Sequence, residues 1–146
     1  MQNCELCGPL REKAFWKNSW FYAIDASTDE FPCFIRIVCT RHVAEMSELT
    51  KAERTYLWAL LEIAEETMIS YLSPDKINYA QFGNMVPHLH WHLIARWKDD
   101  PYFPECPWGQ KQRNIASNVV LARRAKTDLL IKKLPAIFDQ LPCPTE

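Results

Sequence analysis

Three of the four histidines in this 146-residue chain lie at every second position, as His88, His90 and His92. The unperturbed pKa of imidazole is about 6.5, so near neutral pH the ring can be a nucleophile, a proton donor or a metal ligand. In a strand, alternate side chains share one face, which would place the three rings side by side. This row is the strongest indication of chemistry in the sequence.

Two kinds of chemistry compete at the row. A single metal ion would need all three ring nitrogens at ~2.0–2.1 Å from it. Strand rise separates the outer two histidines by roughly 13 Å, so convergence would need a bulge or a bend. Nucleophilic attack needs only the central ring, His90, to face phosphorus while its neighbours orient it and meet the leaving group. The pattern favours the nucleophile, with a catalytic metal or an accidental polar face as alternatives.

The row predicts a strand over 88–96, and the other face of that strand would pack into a core under a long helix. Leu89, Trp91 and Leu93 occupy this second face. Short aromatic or β-branched segments predict three more strands, over 20–25, 33–39 and 77–82.

The long helix is predicted over 51–71, because Thr50 and Glu53 have the spacing of a capping box and an apolar stripe follows. A last helix is expected over 127–140, broken or kinked at Pro135. Strands around one long helix make an antiparallel α+β domain the most economical architecture.

Length and composition predict a single domain over 1–146. A net charge of -1 without a block of like charge makes nucleic acid or a membrane surface an unexpected partner. The amino terminus lacks the apolar core of a signal peptide, and no apolar stretch approaches the ~20 residues of a membrane span. We therefore expect a cytoplasmic protein whose six cysteines are thiols or metal ligands.

The sequence resembles the histidine triad (HIT) family. The segment 86–94 (VPHLHWHLI) has the family pattern of His–apolar–His–apolar–His–apolar–apolar. The resemblance extends upstream through Gly83-Asn84, Arg41-His42 and Asp25 to the Cys4-Glu5-Leu6-Cys7 segment. It implies a HIT-type antiparallel sheet of about five strands, one long helix, a C-terminal helix and a homodimer. The implied domain has its core over about 4–108 and a C-terminal arm and helix over 109–146. Pro87, Trp91 and the acidic, proline-rich arm after the triad are similar to the bacterial branch of diadenosine-polyphosphate-type hydrolases.

The resemblance also implies roles for individual residues. His90 would attack the α-phosphorus of a purine nucleotide or dinucleotide and form a nucleotidyl-histidine, without a catalytic cofactor. His92 would contact the phosphate oxygens and assist the leaving group, and His88 would hold the site in register. Asp25 would accept the ribose hydroxyls and Asn84 would contact phosphate, although each could equally be a turn residue. Dinucleoside polyphosphates and nucleoside phosphoramidates are the substrate types implied.

A Cys-x-x-Cys pair at Cys4 and Cys7 indicates, by itself, a metal site, a redox motif or incidental thiols. In part of the HIT family the pair binds zinc with two histidines, which would be His42 and His88 here. Two thiolates and two imidazoles suit a tetrahedral structural zinc that ties the amino terminus to the catalytic strand.

The chain departs from the family pattern at two positions. Cys33-Phe34 replaces a common Gly-His whose histidine supports the active site, and Met85 replaces a small polar residue that could donate a hydrogen bond. These changes motivate a second function class, a nucleotide-binding module with little or no turnover.

Overall fold

A computed structural model of the chain describes residues 3–144, in which five strands form one antiparallel sheet. In space the strands follow the order β1-β2-β3-β5-β4. Their bounds are Trp16–Lys17 (β1), Phe21–Asp25 (β2), Phe34–Cys39 (β3), Lys76–Ala80 (β4) and His90–Arg96 (β5). The predicted α+β fold, with its antiparallel sheet, long helix and C-terminal helix, is confirmed.

Three α-helices, Pro9–Glu12 (α1), Lys51–Leu72 (α2) and Ser117–Asp139 (α3), accompany the sheet. The long helix α2 begins at the predicted capping box. The Thr50 hydroxyl accepts a hydrogen bond from the Glu53 backbone N–H at 3.1 Å, and the Glu53 carboxylate accepts one from the Thr50 N–H at 2.6 Å. Within the described residues, no helix has the length and apolarity needed to cross a membrane.

The predicted bounds of β5 and of the last helix need correction. β5 begins at His90, two residues later than expected, because the chain turns where the His88 N–H donates to the Val86 carbonyl at 2.8 Å. The helix α3 begins ten residues earlier than expected and continues through Pro135. Its buried face outweighs the hydrogen bond that proline cannot donate. That face comprises Val120, Thr127, Leu130, Leu134 and Phe138.

The sheet has one face toward α2 and α3, where most of the core lies. Leu89 and Leu93 are buried there, as predicted. Trp91 is only half-buried, because its ring lies at the edge of the core, 5.2 Å from the exposed ring of Trp58. The face opposite the histidine row is therefore packed, but its tryptophan reaches solvent.

The other face carries His90 and His92, which pair with Val38 and Arg36 of β3. The amino-terminal segment covers part of it. Leu6 is buried in a small apolar cluster with three residues of this face, Tyr22, Ile24 and Val38. The histidines thus lie between a packed sheet and a short amino-terminal cover.

Leu93→Ala tests whether this strand is anchored by the core. Leu93 is fully buried at the centre of the sheet, so the substitution should lower the free energy of unfolding by ~2–5 kcal/mol. Leu129→Ala is the matched control, because Leu129 is 49% exposed on α3 and its loss should change stability by at most ~0.5 kcal/mol. Equal urea midpoints for the two variants would contradict this assignment of faces.

Candidate active site

The orientation of His90 is set by the backbone of His88. His90 Nδ1 lies 2.6 Å from the His88 carbonyl oxygen. A carbonyl only accepts, so Nδ1 carries the proton and Nε2 of the neutral ring keeps a free lone pair. The ring is 8% exposed, and burial lowers the pKa of His90. The arrangement presents a neutral imidazole whose Nε2 can act as a nucleophile.

His92 lies beside His90, with 4.9 Å between the ring centroids. The Phe34 ring packs edge-on against it at 5.3 Å, and the buried His92 Nδ1 has no hydrogen-bond partner within residues 3–144. Burial, together with the nearby His90 and Arg36, lowers the pKa of His92 to about 4. Phe34, which stands where the family pattern has a supporting histidine, packs against His92 without offering it a polar partner.

His88 points away from the other two rings. Its Nε2 lies 2.6 Å from the Cys39 carbonyl, to which it must donate, so Nδ1 of the neutral ring is unprotonated. That Nδ1 lies 3.4 Å from the sulfurs of both Cys4 and Cys7. The turn before β5 thus removes His88 from the predicted row and leaves His90 and His92 as a pair.

The four predicted metal ligands, Cys4, Cys7, His42 and His88, do meet, with ligand atoms all within 4.8 Å of one another. The Nδ1 atoms of the two histidines are 3.1 Å apart, and Cys7 Sγ is 3.2 Å from His42 Nδ1. Tetrahedral zinc, with bond lengths of ~2.0–2.3 Å, holds its ligand atoms roughly 3.3–3.8 Å apart. The donor set and its spacing therefore fit a zinc ion with only small adjustments.

A cavity of about 530 Å³ opens in front of His90 and His92. Volumes of ~300–1,000 Å³ are typical of small-molecule sites, in which apolar walls surround a few polar groups. The polar lining is formed by the two histidines with Glu5, Arg36 and Asn84. The apolar walls include Leu6, Leu10, Phe34, Phe82, Met85, Val86 and Trp108.

The two predicted substrate contacts are placed differently. Asn84 lines the cavity. Asp25 does not: it pairs with Ile35 on the helix side of the sheet, accepts from the Ser27 N–H at 3.0 Å and lies 3.9 Å from the Arg124 guanidinium. The structure therefore places Asn84, but not Asp25, at the same cavity as His90 and His92.

Two features of the cavity were not predicted, the cation Arg36 and an aromatic wall. The Trp108 ring lies 5.4 Å from His92 and 5.0 Å from Phe82. The arm after β5 leads to Trp108, and the buried Asp100 carboxylate braces that arm by accepting from Arg96 at 2.7 Å. Arg36 could have been found from the sequence, because it is a charged residue inside the apolar segment 33–39. Nothing in the sequence of the arm marked Trp108 as a cavity residue.

Together, the antiparallel sheet, the neighbouring rings of His90 and His92 and the cavity in front of them define a small α+β protein with a neutral imidazole facing a ligand-sized space. The family model of the HIT domain matches residues 10–99. The chain therefore belongs to the histidine triad (HIT) family.

Similar proteins agree with this assignment. The chain is 30% identical over 95 residues to the bis(5'-adenosyl)-triphosphatase of Saccharomyces cerevisiae, a match that covers 61% of this chain and 46% of the yeast protein. The chain thus spans less than half the length of this relative.

Solved structures of other histidine triad proteins share the fold. A histidine triad protein from Marinobacter aquaeolei superposes with a TM-score of 0.68 at 24% identity, covering 90% of this chain and 98% of that protein. A Zn-bound histidine triad family protein from Mycobacterium smegmatis gives a TM-score of 0.62 at 15% identity, covering 96% of each chain.

Proposed function

We propose that this protein hydrolyses or transfers nucleotides by attack of His90 Nε2 on an α-phosphorus. The observation that carries the proposal is the 2.6 Å contact from His90 Nδ1 to the His88 carbonyl, which fixes the tautomer that leaves Nε2 as a nucleophile. The cavity in front of it is large enough for a small molecule. Kinship with a bis(5'-adenosyl)-triphosphatase favours dinucleoside polyphosphates as substrates, and phosphoramidates remain the second substrate type.

The reaction has two displacements at phosphorus. The Nε2 lone pair forms a P–N bond as the bond from phosphorus to the leaving group breaks, and the leaving group departs with that electron pair. Water, or another acceptor hydroxyl, then attacks the same phosphorus. The P–N bond breaks, its electron pair returns to Nε2, and the acceptor oxygen loses its proton to solvent.

The neighbouring polar groups would bind the phosphate. His92 is neutral near pH 7, so it would act on the phosphate oxygens through an N–H donor and not as a fixed cation. Asn84 lines the cavity, and its side-chain amide would donate to a phosphate oxygen. Asp25 would need its exposed carboxylate to turn from Arg124 to reach a ribose, so we keep its ribose contact as a proposal without support from the cavity lining.

Zinc at Cys4, Cys7, His42 and His88 is the proposed structural cofactor. The His88 Nε2–H donation to the Cys39 carbonyl favours this use, because it leaves Nδ1 as the free ligand atom and braces the ring from behind. When bound, the ion would cross-link the amino-terminal segment to the turn before β5. That turn also holds the carbonyl that orients His90.

The proposed activity is tested by product analysis. The protein should release AMP from diadenosine triphosphate or from adenosine phosphoramidate in buffer to which no metal ion is added. Tight nucleotide binding without any product would instead identify a nucleotide-binding module. Turnover that requires an added divalent ion would favour the metal-dependent alternative, although His90 and His92 lie outside the metal-capable group found in the described residues.

The homodimer, the cytoplasmic location and the single-domain bounds stay predictions, as does the expectation that no nucleic acid or membrane is a partner. None of them is needed for the chemistry proposed at His90.

A further inference from the structure

Within residues 3–144, the side chain of Arg36 lines the cavity without a hydrogen-bond or ion-pair partner. Among the described residues that line the cavity it is the single arginine, and lysine is absent. Its Nε is buried without a hydrogen-bond partner, and no ion pair within residues 3–144 includes it. The Phe34 ring lies 5.6 Å from its Cζ, which stabilises the charge but satisfies no N–H donor. The Arg36 side chain is half-buried, with its Nε shielded from water, which is unfavourable for a cation in the free protein and leaves its N–H donors for a ligand.

The position of Arg36 relates it to the leaving group. In the β3–β5 ladder Arg36 pairs with His92, whereas His90 pairs with Val38. Attacking and leaving atoms lie roughly in line in a displacement at phosphorus. If His90 attacks, as proposed above, the leaving group departs on the side of His92. Arg36 is the cation on that side.

We propose that Arg36 binds a non-scissile phosphate of the substrate and makes the site selective for phosphoryl leaving groups over neutral amines. The planar guanidinium matches phosphate oxygens with two parallel N–H donors. Glu5 lines the same cavity, and its carboxylate repels a phosphate chain. The positive charge of Arg36 offsets this repulsion and favours the binding of a phosphate chain. This selectivity rests on the proposed function, whereas the phosphate contact itself does not.

Equilibrium binding tests the contact between Arg36 and phosphate independently of turnover. ADP and AMP differ by one phosphate, so Arg36→Gln should weaken ADP binding about 10- to 100-fold, the range for losing a charged hydrogen bond, and change AMP binding less than about threefold. Lys133→Gln is the matched control. It removes the same charge from an exposed position on α3, across the sheet from the cavity, and should leave both affinities unchanged.

Two results would overturn the assignment: unchanged ADP affinity in Arg36→Gln, or equal losses for ADP and AMP. The melting temperature of the ligand-free variant is a second readout, since removing a half-buried charge that has no ion pair within residues 3–144 should leave the melting temperature unchanged or higher. If Arg36→Gln does not fold, Arg36→Met, which keeps the unbranched stem, repeats the comparison. Failure of both variants to fold would show that Arg36 supports the structure, and the proposal would be wrong.

Kinetics test the selectivity. Arg36→Gln should lower kcat/KM for diadenosine triphosphate about 10- to 100-fold and leave that for adenosine phosphoramidate within about threefold. Equal losses with both substrates would overturn the selectivity. If the unmodified protein turns over neither substrate, the proposed function fails, while the ADP and AMP comparison still decides whether Arg36 binds phosphate.

Discussion

Replacing His90 with alanine should reduce nucleotide turnover at least ~10³-fold while leaving nucleotide affinity nearly unchanged. Nε2 forms the covalent bond in the proposed route, so its loss removes the attacking atom and little ground-state binding. His90→Asn is the sharper variant, because its side-chain amide keeps an N–H donor near the position of Nδ1 but has no nucleophilic nitrogen. Both variants are assayed with diadenosine triphosphate, and binding is followed by titration with AMP.

The comparison with His92 distinguishes a nucleophile from a binding group. His92→Ala should reduce turnover less than His90→Ala, because it removes stabilisation of the phosphate and leaves the attacking atom in place. Rapid acid-free quenching with labelled substrate, followed by peptide mapping, should place the nucleotide on the peptide that contains His90. A label on another peptide, or normal turnover in His90→Ala, would show that the nucleophile is assigned wrongly.

Local signals predicted the parts of the fold that depend on neighbouring residues. The capping box at Thr50 and Glu53 needed only a three-residue spacing, and α2 begins where it indicated. The alternation around His90 needed only the two-residue period of a strand, so the burial of Leu93 followed directly. The two-residue strand β1 was missed because so short a segment has no period to detect.

Tertiary contacts decided what these patterns could not. His88 follows the same alternation as His90, yet its backbone turns at Val86, and its ring joins sulfurs more than eighty residues earlier in the chain. Arg36 entered the cavity through its cross-strand pairing with His92, and a single sequence does not specify strand register in advance.

The cluster formed by Cys4, Cys7, His42 and His88 is nevertheless connected to His90 and His92. His88 offers its ring to the Cys4–Cys7 pair and its carbonyl to His90 Nδ1, so one residue belongs to both sites. Anything that holds the His88 ring also restrains the carbonyl that fixes the His90 tautomer. An ion bound by Cys4, Cys7, His42 and His88 would therefore restrain the His90 ring without entering the cavity.

Because of this connection, we expect zinc occupancy to affect the stability of the protein strongly. Protein purified without added metal should contain one zinc per chain by elemental analysis, and Cys4→Ser/Cys7→Ser should contain none. A metal present at a thousand times its Kd adds ~4 kcal/mol of stability. For a chain of this length, that corresponds to a fall of roughly 8–16 °C in melting temperature when the metal is removed. A strong chelator should lower the melting temperature of the unmodified protein to that of the double variant.

Cys106→Ser is the control for losing a thiol, because Cys106 is an exposed free cysteine outside the cluster. This variant should keep both its zinc and its stability. A metal-free protein that melts at the same temperature with and without added zinc would contradict a structural role for zinc. Zinc retained by the double variant would place the ion elsewhere in the molecule.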